Sequence, residues 1–208
     1  MNLSIGRIDP GHAFGANGQM VKVSALEIKK IPQYSLNNDI LTDVNVLIIP
    51  NFVDQEFLYA NKQVIENFLA AKKIIVFCGH LFRPWLPGAS LFMPERIQHY
   101  TDYNVYPQNN TPIFEGVSTE DMTVNKGVAG FFARGHYHVT DEQEVHLTFK
   151  SGHVVTYVDR TATNGTIVVH AGRPLLGYTG QNKTTDRIRP QFLAWLEQET
   201  ARLQEAQA

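Results

Sequence analysis

The sequence predicts an α/β protein built on parallel strands, with an antiparallel hairpin added late in the chain. Three observations carry this. Val44–Ile49 is a continuous apolar run ended by Pro50-Asn51, the pattern of a strand buried on both faces. From Gln55 to Ala71 the period changes, and Phe57, Leu58, Val64, Ile65, Phe68 and Leu69 share one helical face behind an Asp54 N-cap. A second apolar run, Ile74–Phe77, then ends at Cys78-Gly79. Strand, helix and strand make a β-α-β unit, and such a crossover makes the two strands parallel.

The remaining elements follow in order. Leu3–Ile8 reads as the first strand, Asp9–Gly18 as a turn-rich loop able to overhang a pocket, and Met20–Ile28 as a weakly alternating second strand. Residues 82–112 hold five prolines and several aromatics without a period, which suits an ordered excursion covering a pocket. Glu144–Phe149 and His153–Asp159, joined through Lys150-Ser151-Gly152, read as a hairpin, and Thr166–His170 as a further strand. A helix from Pro190 to Gln204 places Phe192, Leu193, Leu196 and Leu203 on its packing face. No internal repeat interrupts this order, so residues 1–208 are expected to form a single domain.

Composition narrows the function. The chain has 208 residues, 43% hydrophobic and 18% charged, enough for one sizeable core. A net charge of −2 with dispersed Lys and Arg gives no footprint for nucleic acid or an anionic membrane. One cysteine cannot close an internal disulfide, and no apolar run approaches a membrane span, so a cytoplasmic protein is expected. A small-molecule ligand is the expected partner, a homo-oligomer is allowed, and no cofactor is implied.

The chemistry-bearing residues gather where parallel strands end, which is where open α/β sheets bind ligands. The pocket is expected at Asp9–Gly18, Pro50–Asp54, Cys78–Gly88 and His170–Tyr178. Cys78 and His170, 92 positions apart, each close an apolar run. A thiolate with an imidazole to carry its proton is nucleophilic chemistry at a carbonyl carbon. Asn51, Gly79, His80, Arg83, Arg134, His136 and Arg173 are the candidate ligand-binding residues, His80 being a rival base and Arg134 and Arg173 partners for an anion. Cys78 and Arg83 lack the spacing of a phosphatase loop. Gly130, His136, His138 and Glu142 match the front half of a cupin metal motif, but no second half follows. Asp54, Gln55 and Glu56 are read as ordinary helix-start chemistry.

The order of apolar strand, Pro-ended turn, helix, strand and Cys78-Gly79 resembles the class I glutamine amidotransferase-like superfamily, including its trehalose-utilisation (ThuA-like) branch. Thr111-Pro-Ile-Phe-Glu-Gly-Val117, Phe132-Ala-Arg-Gly-His136 and Gly165-Thr-Ile-Val-Val-His170 carry the likeness further, over residues 44–180. The resemblance implies a flavodoxin-like three-layer sandwich with a mainly parallel central sheet, Cys78 as nucleophile at a strand-to-helix elbow, and His170 as its base. Three working parts depart from the pattern. The elbow is Val76-Phe-Cys-Gly-His80 without its flanking glycines, His170-Ala-Gly172 lacks the carboxylate that orients the imidazole, and the oxyanion loop is Pro50-Asn51-Phe52. Two readings follow: a thiol-dependent hydrolase or transferase, and a catalytically silent member that binds a ligand or partner. A third is a metal-binding protein using His136, His138 and Glu142.

Overall fold

Strands β3 (Val46–Ile49), β4 (Ile74–Cys78) and β12 (Thr166–His170) are buried at every residue, because each is an unbroken apolar or β-branched run covered on both faces. Around them, the computed structural model describes residues 3–12, 28–108 and 111–205. The other elements, in chain order, are β1 (Ile5–Asp9), β2 (Ile28–Pro32), α1 (Gln55–Ala60), α2 (Lys62–Ala70), β5 (Met93–Pro94), β6 (Val105–Pro107), α3 (Thr119–Thr123), β7 (Val124–Asn125), β8 (Val128–Ala129), β9 (Gly135–His136), β10 (Glu144–Phe149), β11 (Val154–Asp159) and α4 (Ile188–Glu205).

These elements make a mixed α/β fold around an eight-stranded sheet in the order β2-β1-β3-β4-β12-β11-β10-β6. The first five of these strands are mutually parallel, so their carboxyl ends share one edge, while β11, β10 and β6 continue the sheet antiparallel. The register aligns Ile49 with Phe77 and His170 with Cys78. Two small ribbons, β5 with β9 and β7 with β8, lie outside the sheet.

The expected β-α-β unit is present, with one refinement. The helix expected over Gln55–Ala71 is divided at Asn61, whose side chain donates to the Phe57 carbonyl at 2.8 Å and competes with the backbone ladder. Asp54 caps α1 as expected, accepting from the Phe57 N–H at 3.0 Å. Leu58, Ile65, Phe68 and Leu69 pack into the same core as the strands. The second strand lies at Ile28–Pro32, at the far end of the stretch read as Met20–Ile28, whose residues 20–27 fall outside the described residues. As an outer strand it tolerates Pro32. Buried Gln33 then ties this strand to the helix start: its side-chain amide donates to the Asp54 carbonyl at 2.7 Å and accepts from the Asp54 N–H at 3.0 Å.

The excursion at 82–112 does more than cover a pocket, since β6 inside it forms the outer strand beyond β10. No helix among the described residues is long and apolar enough to cross a membrane. α4 buries Ile188, Phe192, Leu196 and Leu203 at helical spacing, along with Trp195. It also carries Glu199 into the interior, where the carboxylate meets Thr166 Oγ1 at 2.5 Å, Arg160 Nε at 2.9 Å and Arg202 Nη2 at 2.7 Å. Burial opposes this charge, but hydrogen bonds from Arg202, Arg160 and Thr166 outweigh it and hold the carboxyl down at about 2. Glu199→Ala removes the acceptor that Thr166, Arg160 and Arg202 share, while Arg160 keeps Glu144 and Arg202 is half-exposed, so it should cost about 1–2 kcal/mol. A urea titration shifting by less than about 0.5 kcal/mol would show that α4 docks by apolar packing alone.

Candidate functional site

Cys78 and His170 end adjacent parallel strands in register, which sends their side chains to the same face of the sheet. The two residues paired in the sequence reading are thus neighbours in the sheet. Both are fully buried. His170 Nδ1 lies 2.7 Å from Thr156 Oγ1 on β11, and Phe132 packs edge-on against the ring at 5.2 Å. The Leu175 N–H donates to the sulfur, and Tyr137 and Tyr178 stand close enough for a thiolate to disfavour their own ionisation. Burial pushes the Cys78 thiol up to about 12 and the His170 imidazole down to about 3. A neutral thiol and a neutral imidazole are therefore the resident species at neutral pH.

The turn after Cys78 is packed against the turn after β3. Gly79 adopts φ 150°, and a Cβ there would meet the Asn51 Cα at 2.9 Å, so only glycine lets the two strand ends approach this closely. Its N–H donates to the His170 carbonyl at 2.9 Å, and its carbonyl accepts from the Tyr137 hydroxyl at 2.7 Å. Tyr137, in turn, accepts from the Leu81 N–H at 3.1 Å. The chain beyond is fastened by Gln55. Its Oε1 accepts from the Phe82 and Arg83 N–H groups and from the Trp85 indole, at 2.8, 3.2 and 3.3 Å, while its Nε2 donates to the His80 carbonyl at 2.6 Å. Reading Gln55 as helix-start chemistry missed this role, which depends on a loop 27 residues away in sequence.

The other candidates are placed as follows. His80 stacks on Phe92 at 3.9 Å, and burial and Arg134 lower its basicity. Arg83 folds back over the Tyr59 ring at 4.5 Å and pairs with Glu56 at 2.8 Å. Arg134 donates to the Gly130 carbonyl at 2.9 Å and lies over Phe131 at 5.8 Å. Arg173, directly after the β12 end, lies 5.7 Å from the centre of the Tyr178 ring and lines an open groove of ≈ 1160 Å³. Lys126, Phe131, Gln181 and Lys183 line it too, giving three cations and no acid among its walls. Of the pocket segments read from the sequence, residues 13–18 fall outside the described residues.

The set His136, His138 and Glu142 is not assembled: His138 and Glu142 are exposed, and the group whose ligand atoms converge is Glu95, His136 and His153. The coincidence of spacing misled because His136 sits on a strand of only two residues, too short to carry the alternation onward. His146 is engaged elsewhere, with Thr111 Oγ1 at 2.8 Å and Glu144 Oε1 at 3.1 Å.

Fold and site together define a mixed α/β domain with a buried thiol–imidazole pair at the carboxyl edge of its parallel strands. No family model and no curated protein matches the chain. Among solved structures it is similar to the mmIFT52 N-terminal domain, with TM-score 0.60 and 12% identity over 93% of this chain and 97% of that one. It is also similar to the cytoplasmic protein STM1381 from Salmonella typhimurium LT2, with TM-score 0.55 and 7% identity over 84% of this chain and 82% of that one. The exo-beta-1,4-mannosidase Op5Man5 from Opitutaceae bacterium strain TAV5 aligns at TM-score 0.46 and 10% identity, over 97% of this chain and 34% of that one. At 12% and 7% identity, the likeness to the first two is one of fold alone.

Two outcomes test this geometry. Gln55→Ala removes the acceptor of three N–H donors and should cost about 2 kcal/mol with a red shift of tryptophan emission; unchanged emission and stability would detach Gln55 from the loop. His170 is held neutral with its folded value near 3, against about 6.5 in the unfolded chain. Below about pH 6.5 the unfolded chain binds a proton that the native one refuses, so stability is full above that pH and falls as pH drops toward about 3. Between about pH 5.5 and 4, the slope of stability against pH should exceed that of His170→Gln by close to one proton. Equal slopes would mean that the native imidazole protonates freely.

Proposed function

We propose that the chain is a catalytically silent member of the class I glutamine amidotransferase-like superfamily, on a flavodoxin-like variant of the fold, that binds a small anionic ligand in the groove lined by Arg173. The observation that carries this reading is the complete burial of Cys78 and His170. A nucleophile must present its sulfur to a carbonyl and ionise near neutral pH, and this thiol does neither. The oxyanion position supports the same reading. Asn51 is pressed against Gly79, and the one N–H assigned to the sulfur, that of Leu175, already donates to it. The pair instead works as core, joining two strand ends through Thr156, Tyr137 and Phe132.

Among the described residues, the groove beyond β12 is open to solvent. Arg173 and Lys126 offer charge, Phe131 offers an apolar wall, and Gly180 lets the ligand approach the backbone. A carboxylate or phosphate monoester of small-molecule size matches this chemistry.

Native Cys78 should react with iodoacetamide at least about a hundredfold more slowly than the denatured chain, because its sulfur is fully buried and burial pushes the thiol up to about 12. Fast alkylation with an apparent pKa below about 8.5 would restore the thiol-hydrolase reading. In a thermal-shift panel of carboxylates and phosphate monoesters, at least one class should stabilise the protein and lose that effect in Arg173→Ala. A panel without effect would remove the groove from consideration.

A further inference from the structure

We infer that Glu95, His136 and His153 form a binding site for one divalent first-row transition-metal ion of the zinc class. The three side chains come from separate segments that the fold brings together. Glu95 directly follows β5, His136 is on β9, and His153 directly precedes β11 at the tip of the late hairpin. Pairing of Met93 with His136 sets the first two side by side, and the Glu95 N–H donates to the Arg134 carbonyl at 3.0 Å. The hairpin is brought in by the Tyr137 N–H, which donates to the Val154 carbonyl at 2.9 Å.

The donor atoms converge. Glu95 Oε2 lies 3.0 Å from His136 Nδ1 and 2.9 Å from His153 Nδ1, and the two imidazoles stack at 4.0 Å with 17° between their planes. All ligand atoms fall within 4.8 Å of one another. Tetrahedral coordination with bonds near 2.1 Å puts ligand atoms about 3.4 Å apart, so the carboxylate would open from each imidazole by a few tenths of an ångström while the two imidazole donors settle to that spacing.

Two features favour an ion over a plain hydrogen-bonded cluster. His136 is 7% exposed, and its Nδ1 is buried, within reach of the carboxylate but out of line for a hydrogen bond. Such a nitrogen is an unmatched lone pair or an unmatched donor until a cation occupies the space between the three groups. Glu95 Oε1 is steadied by Ser151 Oγ at 3.3 Å, an outer partner of the kind that orients metal-bound carboxylates. The His153 side chain is 47% exposed and gives the ion a path from solvent. Two imidazoles with one carboxylate select zinc, cobalt or nickel over calcium and magnesium, which take oxygen donors.

The cluster shares no residue with the groove lined by Arg173, so either assignment stands or falls alone. The experiment uses the untagged full chain, stripped with EDTA. Zinc titrated by calorimetry should bind at one equivalent with a dissociation constant of about 10 µM or tighter. Cobalt should give a visible d–d spectrum that saturates at the same stoichiometry. His153→Ala, at a half-exposed position, and the isosteric Glu95→Gln should each weaken zinc at least about tenfold and abolish its thermal stabilisation. Glu142→Ala should leave affinity unchanged, as should calcium or magnesium added in excess. Binding weaker than about 100 µM, or tight binding kept in both His153→Ala and Glu95→Gln with their circular dichroism intact, would overturn the site.

Discussion

The parallel pairing of β4 with β12 is the constraint on which the rest of the molecule depends. It joins the β-α-β half of the sheet to the antiparallel half, and it does so with residues that are buried without exception. Because the register sets Cys78 opposite His170, a thiol and an imidazole meet at the strand ends under a roof of Phe132, Tyr137 and Tyr178. The interior dielectric then decides their chemistry. Charging either group would require burying an ion, so both stay neutral.

Around that apolar centre, a few buried or half-buried polar side chains fix loops that apolar packing would leave in several arrangements. Gln33 joins β2 to α1, Gln55 gathers the chain after Cys78, Tyr137 bridges Gly79 and Leu81, and Glu199 locks α4 to β12. Each is satisfied by partners distant in sequence, so each contributes specificity as well as stability.

The parts of this architecture legible in sequence were those with a local signal. The runs at 46–49, 74–78 and 166–170, the Asp54 cap and the late hairpin each announce themselves within a few residues. Cys78 and His170 were legible as a pair because both end such runs. Glu95 was not, since Met93-Pro94-Glu95 has no period and pairs with a segment 40 residues on. Gln55 was hidden for the opposite reason: helix-start chemistry explains it locally, and nothing local hints at Trp85. β6 was missed because its three residues acquire strand character only by lying beside β10. Composition fixes none of these long-range pairings.

The described sheet ends on both sides in a strand that closes with proline, Pro32 on β2 and Pro107 on β6. At those positions the backbone has no N–H to offer a further strand, and the Lys29 and Lys30 ammonium groups are turned to the Ile40 carbonyl and the Asp9 carboxylate. An outer strand interrupted in this way is a poorer template for strand addition, and so for cross-β stacking, than an unbroken one.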